Sequence, residues 1–383
     1  MSFIRAIGVA SVAGWLGGCA AISDWMSTDT NALPTPLEPL SEQVLKPLWR
    51  VSGGSGTQKQ FLRLRPIALE SRVVVANSDG GVVAYDSFNG NLLWKAETGI
   101  SLSGGTGGGE GLVIVGGSKG EVVALQLKDG SERWRTGVSS EVLAPPAASE
   151  GIVVVRAVDG RVTALSAPNG TRLWTFSRTV PVLSLRGTSA PRIAAEKVFI
   201  GLDSGRLTAI GLRDGHELWD AAVAVPRGRS ELERMVDIDA DPILFRDTVY
   251  VSAFQGRIMA IDAETGQPRW ARDISSSAGL GVDRDRVYVT DETSVLWALD
   301  RSTGSVLWKQ EGLKNRALTA PVSYGDNIVV GDLEGYLHTI RRRDGEIIGR
   351  LSLDGYPILA APITQGAVLY ATSSAGTLAA LRD

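Results

Sequence analysis

The chain has 383 residues, a formal charge of −3 and 44% apolar residues, enough to bury a large core and long enough for two or three ordinary domains. No Lys/Arg run stands out, which excludes a nucleic-acid-binding surface of the usual basic kind. Cys19 is the single cysteine, so no intrachain disulfide can form, and His216 and His338 stand in no metal-ligating spacing and read as exposed strand or turn residues.

Residues 1–18, MSFIRAIGVASVAGWLGG, place Arg5 ahead of an apolar run over residues 6–16. That run is too short to span a bilayer and has the layout of a secretory signal peptide. It ends in Leu16-Gly17-Gly18-Cys19. The tetrapeptide resembles the lipobox of bacterial lipoproteins, whose cysteine is lipidated and becomes the new N-terminus. The resemblance implies a lipid anchor on Cys19, and Ala20 in place of an aspartate implies the outer membrane. Residues 19–44 contain Pro34, Pro36 and Pro39, which break regular structure. They are expected to form a lipidated, flexible tether, with the folded domain spanning residues 45–383.

From there the chain repeats. GGVVAYDSFNGNLLW ends at Trp94, and related segments end at Trp134, Trp174, Trp219, Trp270 and Trp308. A seventh ends at Gly349, with glycine in the tryptophan position, and an eighth stops half-finished at Asp383. Its missing half lies at the other end, in VLKPLWRV with Trp49. Alternating apolar and polar residues, with Asn-Gly, Asp-Gly or Thr-Gly turns, indicate about four short strands per unit. Such units repeated about an axis form a β-propeller. The expected fold is therefore all-β: an eight-bladed β-propeller of four-stranded antiparallel blades, closed by the N-terminal strand in the last blade. The run SGGTGGGEG at 103–111 falls on an innermost strand, where glycine permits close packing.

Ala84, Gly90 and Trp94, like Ala260, Gly266 and Trp270, occupy the main positions of the tryptophan-docking motif, Ala-x-Asp-x-x-x-Gly-x-x-x-Trp, which resembles that of quinoprotein-type propellers. The tryptophans then read as staples between blades. The same resemblance supplies one alternative function, a periplasmic dehydrogenase binding pyrroloquinoline quinone. Against it, the chain cannot make the vicinal disulfide on which many such enzymes stack the cofactor, it is short for such an enzyme, and small residues dominate its axial strands; separately, it has no Gly-Lys pair and so no phosphate-binding P-loop. No cofactor is expected.

Within each unit the step from the leading glycine (Ser294 in the sixth) to the tryptophan position is 14 residues. All length variation falls between units: 24 to 27 residues for most, 31 after Trp49 and Trp174, 37 after Trp219. The last two intervals are consecutive, so their extra residues should lie side by side. The first holds VLSLRG, where Leu183 and Leu185 share one side of an extended segment and Ser184 and Arg186 the other. Exposed leucines beside an arginine suit an interface core; the other reading folds both leucines back as a cap on the blade. The second holds DIDADP, with Asp237, Asp239 and Asp241 read as a solvated acidic loop or as partners of Arg186 or Arg234.

The lipobox, the proline-bearing tether, the docking-motif repeats and the stretches SLRGTSAP and DIDADP together resemble the BamB family of outer-membrane protein assembly factors over nearly the whole chain. That resemblance implies a non-catalytic lipoprotein on the periplasmic face of the outer membrane. Its partner would be the POTRA region of BamA, and unfolded barrel proteins are a further candidate. It implies contact with BamA through Leu183, Leu185, Arg186, Asp237 and Asp239, and of these Asp237 is expected to act as a charge at the rim, screened as salt rises.

The anchor reading makes a direct prediction. Cys19→Ser leaves a folded protein that fractionates with the soluble periplasm. Retention of the variant in membranes after alkaline carbonate extraction contradicts it.

Overall fold

The computed structural model describes residues 33–40, 44–181, 183–185 and 189–383. Cys19 and Arg186 lie outside them. Thirty-two strands and no helix occur among the described residues. The first complete unit runs Ile67–Leu69, Arg72–Ala76, Gly81–Asp86 and Leu92–Glu97, each strand antiparallel to the one before. Later units repeat this meander from a short innermost strand outward. Six sheets have four strands, and one of eight is two meanders joined by a single parallel bridge, Gly108 to Ala147. The glycine run allows that approach: a Cβ on Gly107 would lie 1.8 Å from the Pro146 carbonyl oxygen.

The last sheet takes strands from both ends of the chain. Lys46–Ser52 pairs antiparallel with Thr377–Arg382, which continues to Val368–Thr372 and Ile363–Gln365. The innermost strands touch in order of sequence, and Ile363–Gln365 touches Ile67–Leu69, the first of the series.

The middle strands read as unbroken apolar runs because both faces of each sheet are covered. In Arg72–Ala76, Val74 packs with Val113 and Val115 of the next unit, while Val73 and Val75 pack with Tyr370 and Leu378 of the last. The core is thus a series of layers between sheets. His338 is caught in one of them, which corrects the expectation of an exposed residue. It lies fully buried on Tyr336–Arg341 with Nε2 2.9 Å from Asp332 Oδ2. Burial lowers its pKa below the ordinary histidine value, opposed by the Asp332 hydrogen bond, so the imidazole is neutral at pH 7. His216 is exposed, as read.

Tryptophan joins one unit to the next in the same way throughout. In the first turn Asp86 Oδ1 accepts from the backbone N–H groups of Phe88 and Asn89, and Gly90 follows at φ +73°. The Trp49 ring lies on Gly90, 2.7 Å from where a Cβ would sit. Trp94 lies likewise on Gly130 and donates from Nε1 to Leu127 O at 3.0 Å; Trp134 lies on Gly170 and donates to Ala167 O at 2.7 Å. Trp174, Trp219, Trp270 and Trp308 repeat the contact on Gly215, Gly266, Gly304 and Gly345. Each glycine must be glycine twice over: its φ is left-handed, and the ring occupies the place of a side chain.

Gly349 also finds its reason here. A tryptophan at that position would need the turn glycine of the following unit, but that unit pairs Thr377–Arg382 with Lys46–Ser52, strands remote in sequence that no hairpin turn joins. Val44 sits over Gly349 instead, 2.9 Å from the place of a Cβ, and Leu45 is buried beside Leu337, Leu369 and Leu381. Thr339 stands opposite Gly349 where the other units pair alanine with tryptophan.

Two substitutions test this joint. Trp134→Ala should lower unfolding stability by about 3–5 kcal/mol, the usual loss for a large buried aromatic. Gly349→Trp, which restores the repeat on paper, should also destabilise, because Val44 holds the space. Urea midpoints of the two variants check both signs.

Candidate partner-binding site

Three long loops converge, each leading from an outermost strand to the next innermost one. Residues 178–191 leave Arg172–Ser177, residues 223–242 leave Glu217–Ala222, and residues 53–66 leave Lys46–Ser52. The first two are neighbours, as their consecutive intervals require. Leu185 N donates to Asp237 Oδ2 at 3.1 Å, and Ala190 N donates to Asp241 Oδ1 at 2.7 Å. Leu183 is 44% exposed and Ser184 is exposed, whereas Leu185 is half-buried. The two leucines are therefore not equivalent: one is presented to solvent and the other is drawn toward the acidic loop.

That loop is not solvated, and its first two aspartates are not rim charges. Asp237 is 0% and Asp239 6% exposed, and Ile238 and Ala240, which alternate with them, are buried too. The reason is packing and pairing. Ile238 fills the space over Gly201, where a Cβ would meet its side chain at 2.2 Å, and Phe254 N donates to Asp237 O at 2.8 Å. One oxygen of each carboxyl, Oδ1, is buried with no hydrogen-bond partner. Burial pushes the Asp237 pKa up to about 8, with Asp239 and Asp203 adding to the rise and Arg156 opposing it. Burial raises Asp239 to about 6, against the pull of Arg63 and Arg156. Leaving a buried carboxyl protonated costs less than leaving it charged and short of donors.

The pairings also differ from those expected. Asp241 takes Arg65 Nη1 at 2.8 Å, and Arg234 pairs with Glu231 within its own loop. Arg65 and Arg63 come from the loop at 53–66, where Arg63 Nη1 also donates to Ser277 O at 3.2 Å. Beneath the loops lies Arg156, 1% exposed, which pairs with Asp203 and donates from Nη1 to Ser189 Oγ at 3.2 Å. The sequence reading named none of Arg63, Arg65, Arg156, Ser189 and Asp203. A signal for the first two was present: the interval after Trp49 is as long as that after Trp174, but its place beside the other loops needs the last sheet to join both chain ends. Arg156 carried no signal, being one arginine at the end of an apolar strand.

Chemically the site is a supported surface. Among the described residues no group of three or more His, Cys, Asp and Glu is placed to hold a metal ion. The buried network fixes the loop backbones, and Leu183 is left projecting.

Sheets of four antiparallel strands, stapled by tryptophan on glycine, define a propeller-type repeat protein that presents loops. A family model described as outer membrane protein assembly factor BamB matches residues 78–310. The outer membrane protein assembly factor BamB of Alkalilimnicola ehrlichii is 50% identical over 335 residues, 88% of each chain. The crystal structure of BamB from Moraxella catarrhalis superposes with a TM-score of 0.81 at 27% identity, covering 89% of this chain and all of that one. A quinohemoprotein alcohol dehydrogenase of Comamonas testosteroni reaches a TM-score of 0.70 at 14% identity, covering 88% of this chain and 76% of its own, a likeness of fold alone. The chain belongs to the BamB family of outer membrane protein assembly factors. The enzyme alternative falls with that assignment.

The raised carboxyl pKa values make stability depend on pH, with a definite sign. Folding raises both above the unfolded value near 3.9, so the stability they lend is fully present below about pH 4 and is lost as pH rises through about 6 and 8. The slope is at most about 1.4 kcal/mol per pH unit for each proton. Asp237→Asn keeps an acceptor for Leu185 N–H and should flatten the fall between pH 5 and pH 8. Melting temperatures of both proteins across that range check it.

Proposed function

We propose that the chain is a non-catalytic scaffold of outer-membrane β-barrel assembly, held by lipid on Cys19 at the periplasmic face, that binds the POTRA region of a BamA-like partner. Its framework is an eight-bladed propeller closed by the N-terminal strand. The pairing of Lys46–Ser52 with Thr377–Arg382 and the cyclic contact of the innermost strands support that framework. Family membership supports the assembly role, since the relatives carry the name of an assembly factor.

One observation supports the binding reading: Leu183 is 44% exposed two residues before Leu185, whose N–H is bonded to the buried carboxyl of Asp237. An exposed apolar side chain on a rigid, pre-ordered support is what a partner's pocket selects, because little ordering entropy remains to be lost. The contact comprises Leu183, Leu185, Arg186, Asp237 and Asp239, in two kinds of role. Leu183 and Arg186 meet the partner. Asp237 acts through Leu185, whose N–H it accepts, and Asp239 through its buried place in the neighbouring loop.

Leu183→Ala should weaken binding to a BamA-like POTRA fragment about thirtyfold, the loss of about 2 kcal/mol typical of an interface anchor. Its melting temperature should stay close to that of the unchanged protein. Asp237→Ala should weaken binding by a similar factor, equally at low and high salt, since a buried group is poorly screened. Affinity and melting temperature are measured on the same preparations. Unchanged affinity for Leu183→Ala, or a loss for Asp237→Ala that vanishes at high salt, contradicts the division of roles.

A further inference from the structure

A second buried charge network lies away from these loops and holds the chain's own N-terminal segment. Arg316 stands in the loop between Val306–Gln310 and Val322–Tyr324, with a side chain only 2% exposed. Its Nε donates to Asp332 Oδ2 at 2.9 Å and its Nη2 pairs with Glu334. Asp332 is saturated, since Oδ2 also meets His338 Nε2 and Oδ1 accepts from the N–H groups of Glu334 and Tyr336. Burying a guanidinium is costly unless every donor is directed somewhere. The donor on Nη1 goes to the carbonyl oxygen of Thr35, at 3.1 Å.

Thr35 is held from its other side as well. Its N–H donates to Lys314 O at 3.0 Å, so both of its backbone groups are bonded to one loop. Two residues on, Leu37 packs on the cluster of Leu313, Leu318, Ile328 and Ile340. The prolines at 36 and 39 keep the segment extended and remove two N–H groups that would need partners. Backbone clamp, apolar anchor and stiff chain thus coincide on six residues that the sequence reading placed in a free tether.

We infer that the pocket built by Arg316, Asp332 and Glu334 is a receptor for residues 35–40, which makes this part of the N-terminal segment a docked strap. The loop that holds it joins an outermost strand to the next innermost one, as do the loops of Leu183 and Asp237. Antiparallel units with the same strand order send all such loops out at the same end of their sheets. The strap therefore enters the folded unit at the end that carries the candidate binding loops. Taken with lipidation of Cys19, on which this consequence rests, only the sixteen residue steps from Cys19 to Thr35 remain as spacer. At full extension that is about 55 Å, against about 90 Å for a tether free to residue 45.

Hydrogen exchange on the full-length protein tests the strap. The Thr35 amide should exchange at least about tenfold more slowly than in an unfolded peptide. Leu37→Asp should abolish that protection while Val329 and its neighbours in Asn327–Gly331 keep theirs. Arg316→Gln should do the same. Should Arg316→Gln fail to fold, Leu37→Asp alone decides, because it changes none of the side chains of the buried network. Free-peptide exchange at Thr35 in the unsubstituted protein overturns the inference, as does full protection in Leu37→Asp. Cys19→Ser should leave Thr35 protected, so failure of the anchor reading and failure of the strap are separate results.

Discussion

The contact of a tryptophan ring with a left-handed glycine is the constraint on which the rest depends. A sheet of four short strands has two apolar faces and is not stable alone; it needs a neighbour on each side at a set distance. The ring supplies that distance, because it fits only where the next unit has no Cβ and where a turn frees a carbonyl for Nε1. The 14-residue step from leading position to tryptophan is therefore invariant in this chain, while the connections outside it vary by more than ten residues. Rigidity and freedom are assigned to different stretches of one repeat, and binding loops evolve in the second.

The exception at Gly349 follows from the same constraint. The sheet that takes strands from both chain ends has no third turn and so no glycine for a ring to meet. With Val44 in the vacant place, the chain's start is packed under the seventh unit before it enters its own sheet as Lys46–Ser52. The strap at 35–40 continues that run in the other direction. Entry of the chain is thus held at successive points, which makes the pairing with Thr377–Arg382 cheaper to maintain than two chain ends meeting by themselves.

Much of this was legible because it is periodic. Strand number, turn glycines and the adjacency of the loops at 178–191 and 223–242 follow from spacing, and the stapling role of Trp94 or Trp134 from the resemblance to tryptophan-docking repeats. Contacts between residues distant in sequence were not legible. His338 looked like one polar position in an alternating strand, but a middle strand buries both faces and alternation does not signal exposure there. Asp237 and Asp239 alternate with Ile238 and Ala240 and so suggested one wet face; all four are buried, Ile238 by its packing over Gly201. The strap was hidden by composition, since prolines that forbid helix and sheet do not forbid docking.

Burying those carboxyls converts charge into geometry. A surface aspartate would offer a partner a screened, mobile charge worth little. Enclosed, the same group must be protonated or find donors; Asp237 has the Leu185 N–H, and the nearby Arg156 favours its charged form. The bonds from Leu185 N–H to Asp237 and from Ala190 N–H to Asp241 favour one arrangement of those residues, and losing the first would leave both oxygens of Asp237 short of a partner. Stability is given up for that uniqueness, as the raised pKa of Asp237 records. What accompanies that cost is a solvent-exposed leucine two residues from a backbone bond to a buried carboxyl.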